Sequence, residues 1–296
     1  MSFHAINRRT FLKTAGTAAA VSLLPSRFLW AEGPKVKNIG VQLYTVRDLM
    51  KEDFEGTIAK VAQIGYKNVE FAGYFGRTAD QVKAVLAKNG LKAPSTHVQY
   101  DELDAKFPSV IDFSKTIGLE YIICPWIPED LRKSPDIWKQ AADKFNKAGE
   151  QTKAAGMQFG YHNHWFEFLP TNGVLPYDEL LKLCNPNLVK MEMDLAWIST
   201  TGTDPVKYFE KYPGRFPLVH VKDVKTMPKV TQGGSQNFGD TVDLTEVGSG
   251  VIDWKRIFAH ADQAGIKYYI VEHDHPKQPL ASIKSSYEYL SKLTVA

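Results

Sequence analysis

Gly118-Leu119-Glu120-Tyr121-Ile122-Ile123 is the stretch on which the fold turns: a helical segment closes on a glycine, and an apolar strand begins within three residues. Glycine just past a helix supplies the left-handed residue that ends it. The strand behind it is apolar on both faces, as a parallel strand covered by helices must be. The same junction recurs at Gly65-Tyr66-Lys67-Asn68-Val69-Glu70-Phe71, Gly90-Leu91-Lys92-Ala93, Gly156-Met157-Gln158-Phe159-Gly160-Tyr161 and Gly265-Ile266-Lys267-Tyr268-Tyr269-Ile270-Val271. Repeated junctions of this kind imply βα units and a parallel sheet.

Eight strands are expected, near 39–44, 68–72, 93–98, 120–124, 157–162, 188–194, 217–221 and 267–272. Helices are expected between them, among others Phe54 to Ile64, Thr78 to Asn89, Ser134 to Ala155 and Asp253 to Ala264, with Ser282 to Leu293 closing the ring. Eight such units in about 265 residues fit an α/β protein with a single (β/α)8 TIM barrel. A doubly wound sheet would carry a Gly-rich phosphate turn after its first strand, and none follows here. The connection between the seventh strand and Asp253 is long and rich in Gly, Thr and Gln, which suggests a lid or substrate-binding loop.

The first residues read differently. Asn7-Arg8-Arg9-Thr10-Phe11-Leu12-Lys13 is a twin-arginine pattern, followed by a mild apolar stretch, Ala15 to Leu24, too short to span a bilayer. Residues 1–31 are therefore expected to be a twin-arginine signal peptide, and 32–296 the barrel domain. That route exports folded proteins, so a periplasmic or exported location follows, with no stable membrane insertion after cleavage. A basic amphipathic start on a cytoplasmic protein is the plainer alternative. Residues 1–31 hold Arg8, Arg9, Lys13 and Arg27 and no acid, so without those four charges the net +3 becomes −1. A near-neutral domain has no electrostatic footprint for nucleic acid. Two cysteines, Cys124 and Cys184, make no disulfide framework.

In a barrel the carboxyl ends of the strands carry the chemistry. Asp194, His220 and Glu272 each follow an apolar lead at the end of a different late strand. Buried acids and imidazoles are costly unless paired or metal-bound. Their convergence would make a mixed carboxylate and imidazole site for one divalent metal ion, Mn2+, Mg2+, Co2+, Fe2+ or Zn2+. A buried salt-bridge network closing the barrel mouth is the alternative. The expected fourth ligand is His162 at the end of strand five, with Glu167, five residues on, contacting substrate hydroxyls or taking its place. His164, two residues past His162, stands as a base or an outer support. Cys124 sits in the apolar run Tyr121-Ile122-Ile123-Cys124 and reads as a core residue.

These residues resemble the xylose isomerase-like sugar phosphate isomerase/epimerase superfamily over nearly the whole chain after residue 31. The most specific pieces are Tyr161-His162-Asn163-His164-Trp165-Phe166-Glu167-Phe168, Met191-Glu192-Met193-Asp194, Pro213-Gly214-Arg215-Phe216-Pro217-Leu218-Val219-His220-Val221-Lys222-Asp223, Val247-Gly248-Ser249-Gly250-Val251-Ile252-Asp253-Trp254 and Val271-Glu272-His273-Asp274. The resemblance implies metal roles for Asp194, His220 and Glu272, and places His162 where many relatives carry Glu. It implies an isomerase, epimerase or carbon–oxygen lyase working on a keto-sugar or keto-glycoside through an enediolate. Glu272 is then the first choice of base, with His164 or His162 on the opposite face. Lys222 would carry developing negative charge. Trp197 and Phe166 would wall the sugar, and His97, Glu70 and Gln42 would contact its hydroxyls. Relatives with a His-Asn-His strand include inosose dehydratase-like and 3-keto-glycoside-processing enzymes, and export favours a sugar without phosphate. A non-catalytic periplasmic sugar-binding barrel and an endonuclease IV-like hydrolase are the competing classes; the latter needs a basic groove that a charge of −1 opposes. Barrels of this type often dimerise, so the resemblance allows a homodimer.

Overall fold

The computed structural model describes residues 35–134, 136–171, 173–229 and 238–295. The twin-arginine pattern and the expected signal peptide, residues 1–31, lie outside these residues. Eight parallel strands close into a barrel: β1 Ile39–Gln42, β2 Asn68–Phe71, β3 Lys92–His97, β4 Tyr121–Cys124, β5 Gln158–His162, β6 Val189–Asp194, β7 Leu218–Val221 and β10 Tyr268–Val271. Neighbours pair in chain order, and β10 closes the ring between β7 and β1. The other two strands, β8 Asp223–Val224 and β9 Leu244–Thr245, form a small antiparallel ribbon inside the long connection.

The expected glycine junctions are present. Gly118 ends the helix Phe107–Ile117 at φ 83°, and Gly265 precedes β10 at φ 79°. The helix expected from Asp253 to Ala264 is two short pieces, Trp254–Phe258 and Ala261–Ala264, because His260 leaves helical geometry at ψ 14°. The last helix, Pro279–Lys292, starts three residues earlier than expected, with a proline in its first turn. Proline is at home there because the first amides of a helix have no partner to lose. Among the described residues no helix is long and apolar enough to cross a membrane.

Strand alternation sorts the side chains into two sets. Val41, Val69, Ile122, Phe159, Met191, Val219 and Val271 face the helices and join the main core, together with Cys124. Cys124 and Cys184 are buried free thiols, and burial pushes the Cys184 thiol up to about 12. The opposite set points into the barrel. Its lower layer is apolar and separate from the main core, made of Tyr121, Ile123 and Leu218 with Tyr268. Gly160 and Gly40 leave room for it: a Cβ on either would lie 2.6 or 2.7 Å from the end of Ile123 or Ile270. Above that layer the inward residues turn polar, and this change along each strand positions the site.

One buried acid anchors the long connection. Asp223 accepts hydrogen bonds from the amides of Val224, Gly248, Gly250 and Ile252 and from Trp254 Nε1, at 2.9–3.3 Å. Asp223→Ala would strand five donors. It is expected to lower stability by on the order of 3 kcal/mol or more, read by urea denaturation, and to open the 244–252 segment to protease. A variant as stable and as protease-resistant as the parent would show that the anchor is not used.

Candidate active site

The polar ends of seven strands converge on one buried cluster. Glu70 of β2, Glu192 and Asp194 of β6, and His220 of β7 are fully buried, and His162 of β5, Lys222 and Glu272 nearly so. His220 stands at the centre. Its Nδ1 lies 2.8 Å from Glu272 Oε2 and its Nε2 2.8 Å from Glu70 Oε1. His97 Nε2 bridges Glu70 Oε1 and Glu192 Oε2 at 3.0 and 2.9 Å. Lys222 Nζ meets three carboxylates: Glu272 and Asp274 at 2.7 Å and Asp194 Oδ2 at 3.2 Å.

Local structure explains why Asp194 can be a ligand. Its Oδ1 caps the helix Leu195–Thr200 by accepting from the amides of Ala196 and Trp197 at 3.0 and 2.9 Å. Such a cap fixes the carboxylate plane. Its Oδ2 is left buried without a hydrogen bond, close to Lys222 in charge but not in hydrogen-bonding geometry. Asn163 tethers the same residue, accepting from the Asp194 amide at 3.1 Å.

Charge sets the protonation states. Burial alone would strip protons from His220 and Lys222, but the surrounding carboxylates outweigh it and hold both well above their ordinary range. The same contest holds His97 up at about 9, through Glu70 and Glu192. Burial would keep Glu272 and Glu70 protonated. Lys222 and His220 drive Glu272 well below the usual carboxylate range, and His97 and His220 do so for Glu70. For Asp194 burial prevails, raising it to about 6. Burial makes His162 and His164 neutral imidazoles, His162 well below its usual value and His164 at about 3.

The donor set suits a divalent cation. One ligand atom each from His162, Asp194, His220 and Glu272 lie within 4.8 Å of one another. A second set, His97, His162, Glu192 and His220, meets the same measure. Two buried atoms of the first set's residues, Asp194 Oδ2 and His162 Nδ1, have no hydrogen-bond partner. Five carboxyl groups, Glu70, Glu192, Asp194, Glu272 and Asp274, face Lys222 and the two imidazoles they charge, His97 and His220. These carboxyl groups outnumber the cations that face them, so a divalent ion would meet a site of negative formal charge. The salt-bridge network and the ligand set are thus made by the same residues.

Other expected site residues fall into two groups. Gln42, Glu70 and His97 are in the cluster. Gln42 Nε2 donates to Glu70 Oε1 at 2.7 Å and its Oε1 accepts from the Tyr44 amide, while Glu70 Oε2 is buried without a hydrogen-bond partner. His164, Phe166 and Trp197 form an aromatic wall beside it. The His164 ring stacks on Phe166 at 5.6 Å and on Trp197 at 6.3 Å, and its Nδ1 is unpartnered. Glu167 stands behind this wall, its two oxygens taken by Tyr161 Oη at 2.5 Å and the His164 amide at 2.9 Å. Sequence reasoning missed Glu192 and Asp274. Glu192 precedes Asp194 by two residues, so strand alternation alone puts both on the inner face. It also missed Trp126, whose ring is 6.4 Å from His164, and Arg132, stacked over Phe166 at 3.6 Å.

Burial raises Glu167 to about 7, against the hydrogen bonds that favour its ionised form. The folded chain therefore holds this proton where the unfolded chain has lost it. The resulting stability is full below about pH 4.5 and is lost as pH rises through about 7. Relative to Glu167→Gln, the parent is expected to lose about 3 kcal/mol over that window. Urea denaturation of both proteins at pH 5 and pH 8 measures the difference, and parallel pH profiles would contradict it.

A family profile described as xylose isomerase-like TIM barrel matches residues 58–293. Inosose dehydratase from Clostridium beijerinckii is 24% identical over 270 residues, covering 83% of this chain and 89% of that protein. A sugar phosphate isomerase/epimerase structure from Parabacteroides distasonis superposes with a TM-score of 0.71 at 27% identity, covering 87% of this chain and 99% of that one. The IOLI protein, crystallised with a bound zinc atom, has the same fold at 13% identity and TM-score 0.64, covering 85% of this chain and 95% of that one. With the closed barrel and the converging strand ends, these matches place the chain in a defined group: it belongs to the xylose isomerase-like TIM barrel family.

Proposed function

We propose that the chain is a divalent-metal-dependent lyase for a keto-sugar or keto-glycoside, abstracting the proton beside the ketone and expelling a β-substituent. The family makes it a sugar-modifying enzyme of the isomerase, epimerase or lyase type. The observation that carries the finer reading is the pairing of a preformed ligand set, His162, Asp194, His220 and Glu272, with an uncharged, unpartnered imidazole, His164, beside it. The dehydratase names of the relatives support elimination over simple epimerisation.

A bound divalent ion would polarise the ketone and acidify the neighbouring C–H. The rest falls to side chains. Glu272, the sequence's first choice of base, is committed to His220 and Lys222 at 2.7–2.8 Å and kept ionised, which suits an anionic ligand. His164 is the base: its Nδ1 is free to accept the proton. Lys222 faces the growing negative charge. Phe166 and Trp197 wall the ring. As the proton leaves, the C–O bond at the β-carbon breaks and the departing oxygen takes up a proton, giving water in a dehydration or an alcohol from a glycoside.

The test uses purified, Mn2+-loaded protein with 3-keto-glucosides and cyclic keto-polyols in D2O. Elimination product is expected, with the α C–H lost and deuterium entering at the former β-carbon as the enol ketonises, and its formation reduced about 10²- to 10⁴-fold in His164→Gln. Clean ketose epimerisation without elimination would sink the lyase reading. We also propose that residues 1–31 direct twin-arginine export, supported by Arg8-Arg9 and the apolar stretch after it. Lysine at both positions should keep the protein cytoplasmic, and undiminished periplasmic accumulation would refute export.

A further inference from the structure

We infer that Glu70 is a positioning residue: it holds His220 so that Nδ1 is presented to the metal, with His97 and Gln42 fixing Glu70 in turn. The inference rests on the proposed metal reading. The two ring nitrogens of His220 face different carboxylates. Nδ1 points to Glu272, a member of the ligand set, and Nε2 points to Glu70 Oε1 at 2.8 Å, with Glu192 Oε2 further off at 3.3 Å. A ligating imidazole uses one nitrogen and donates the N–H of the other, and a carboxylate on that N–H sets the tautomer and strengthens the ligand.

Only one oxygen of Glu70 is engaged; Oε2 is buried without a partner among the described residues. Glu70 is fully buried on β2, separated from β7 in the ring by β1 and β10. Its Oε1 receives three groups at once: Gln42 Nε2 at 2.7 Å, His97 Nε2 at 3.0 Å and His220 Nε2 at 2.8 Å. Gln42 is itself fixed, because its Oε1 accepts from the Tyr44 amide at 3.0 Å. His97 links Glu70 to Glu192 and lies parallel to His220, with ring centroids 5.4 Å apart and planes 12° apart. A carboxylate gripped from three sides cannot swing, so the His220 ring it grips cannot flip its nitrogens. This gives Gln42, Glu70 and His97 work that needs no contact with substrate hydroxyls.

The test uses Co2+ as both probe and metal, with affinity measured by chelator competition on the parent, Glu70→Gln, Glu70→Asp and Asp194→Asn. Glu70→Gln should bind Co2+ about 10- to 100-fold more weakly. Its saturated visible spectrum should keep the parent's intensity, because the coordination number is unchanged. Glu70→Asp keeps the charge one methylene further back and should weaken binding in the same direction. It also serves if Glu70→Gln does not fold, which circular dichroism of the metal-free protein decides. Parental affinity in folded Glu70 variants, with Asp194→Asn still losing the metal, overturns the positioning role and leaves the metal site standing. A changed coordination number in the saturated Glu70 variant makes Glu70 a ligand and also overturns it. A parent protein that binds no Co2+ removes the metal reading and this inference together.

Discussion

Asp194→Asn is expected to empty the metal site while leaving the fold intact. The two oxygens of Asp194 do different jobs. Oδ1 caps the helix Leu195–Thr200, and the Asn side-chain oxygen can do the same. Oδ2 makes no hydrogen bond, lies 3.2 Å from Lys222 Nζ and 3.9 Å from His162 Nε2, and carries the charge a divalent ion needs. Asn at this position keeps the cap and removes the charge. Metal content should fall from about one ion per chain toward none. Lewis-acid assistance is worth several kcal/mol in a transition state, so kcat/KM should fall by about 10³ or more. Elemental analysis of the purified variant and turnover with added Mn2+ give both readings. Unchanged metal content would remove Asp194 from the ligand set.

Lys222→Met is expected to be the most damaging single change to stability in the site. Met matches the length of the lysine stem, so packing against Trp197, whose ring lies 5.5 Å from Nζ, is largely kept. The charge is not. Glu272, Asp274 and Asp194 would face one another without the ammonium that now lies 2.7–3.2 Å from each. Uncompensated buried charge of this kind costs about 3–5 kcal/mol. The pH dependence follows from the two shifts. Lys222 is raised by its partners, so its contribution is present up to about pH 10.5 and is lost as pH rises through its folded value. Glu272 is lowered, so its share is present above about pH 4.5 and is lost as pH falls further. The gap between parent and variant should therefore be widest between pH 5 and 10 and narrow on either side. Denaturant titrations across that range measure it, and a gap that does not depend on pH would show that packing, not charge, is lost. Turnover should fall by about 10²- to 10³-fold as well, since Lys222 faces the developing negative charge.

The barrel was legible because its signals are local. Gly118 and Gly265 end their helices by backbone geometry, and the strands behind them are apolar on both faces because helices cover one and the barrel interior the other. The break at His260 was not legible, since Asp253 to Ala264 carries no proline or glycine to announce it. Asp194, His220 and Glu272 could be picked out because acids and imidazoles at the ends of apolar strands are conspicuous. Glu192 was passed over although it shares a face with Asp194. Its role depends on His97, 95 positions away, and no local pattern reports that pairing.

The sequence by itself determined the order and ends of the strands, the inner and outer faces, and the set of polar residues brought to one end. All of these follow from the twofold period of a strand and from glycine at helix ends, which act over a few residues. Only the tertiary structure decided who pairs with whom. Closing the ring through β1 and β10 brings β2 and β7 to face one shared interior, and that places Glu70 against His220 across 150 positions of sequence. It also puts Lys222 among three carboxylates from β6 and from the end of β10, and seals Glu167 behind Tyr161. Charge and burial at such distances depend on the folded arrangement in three dimensions. They turn a row of strand-end residues into a site with fixed protonation states.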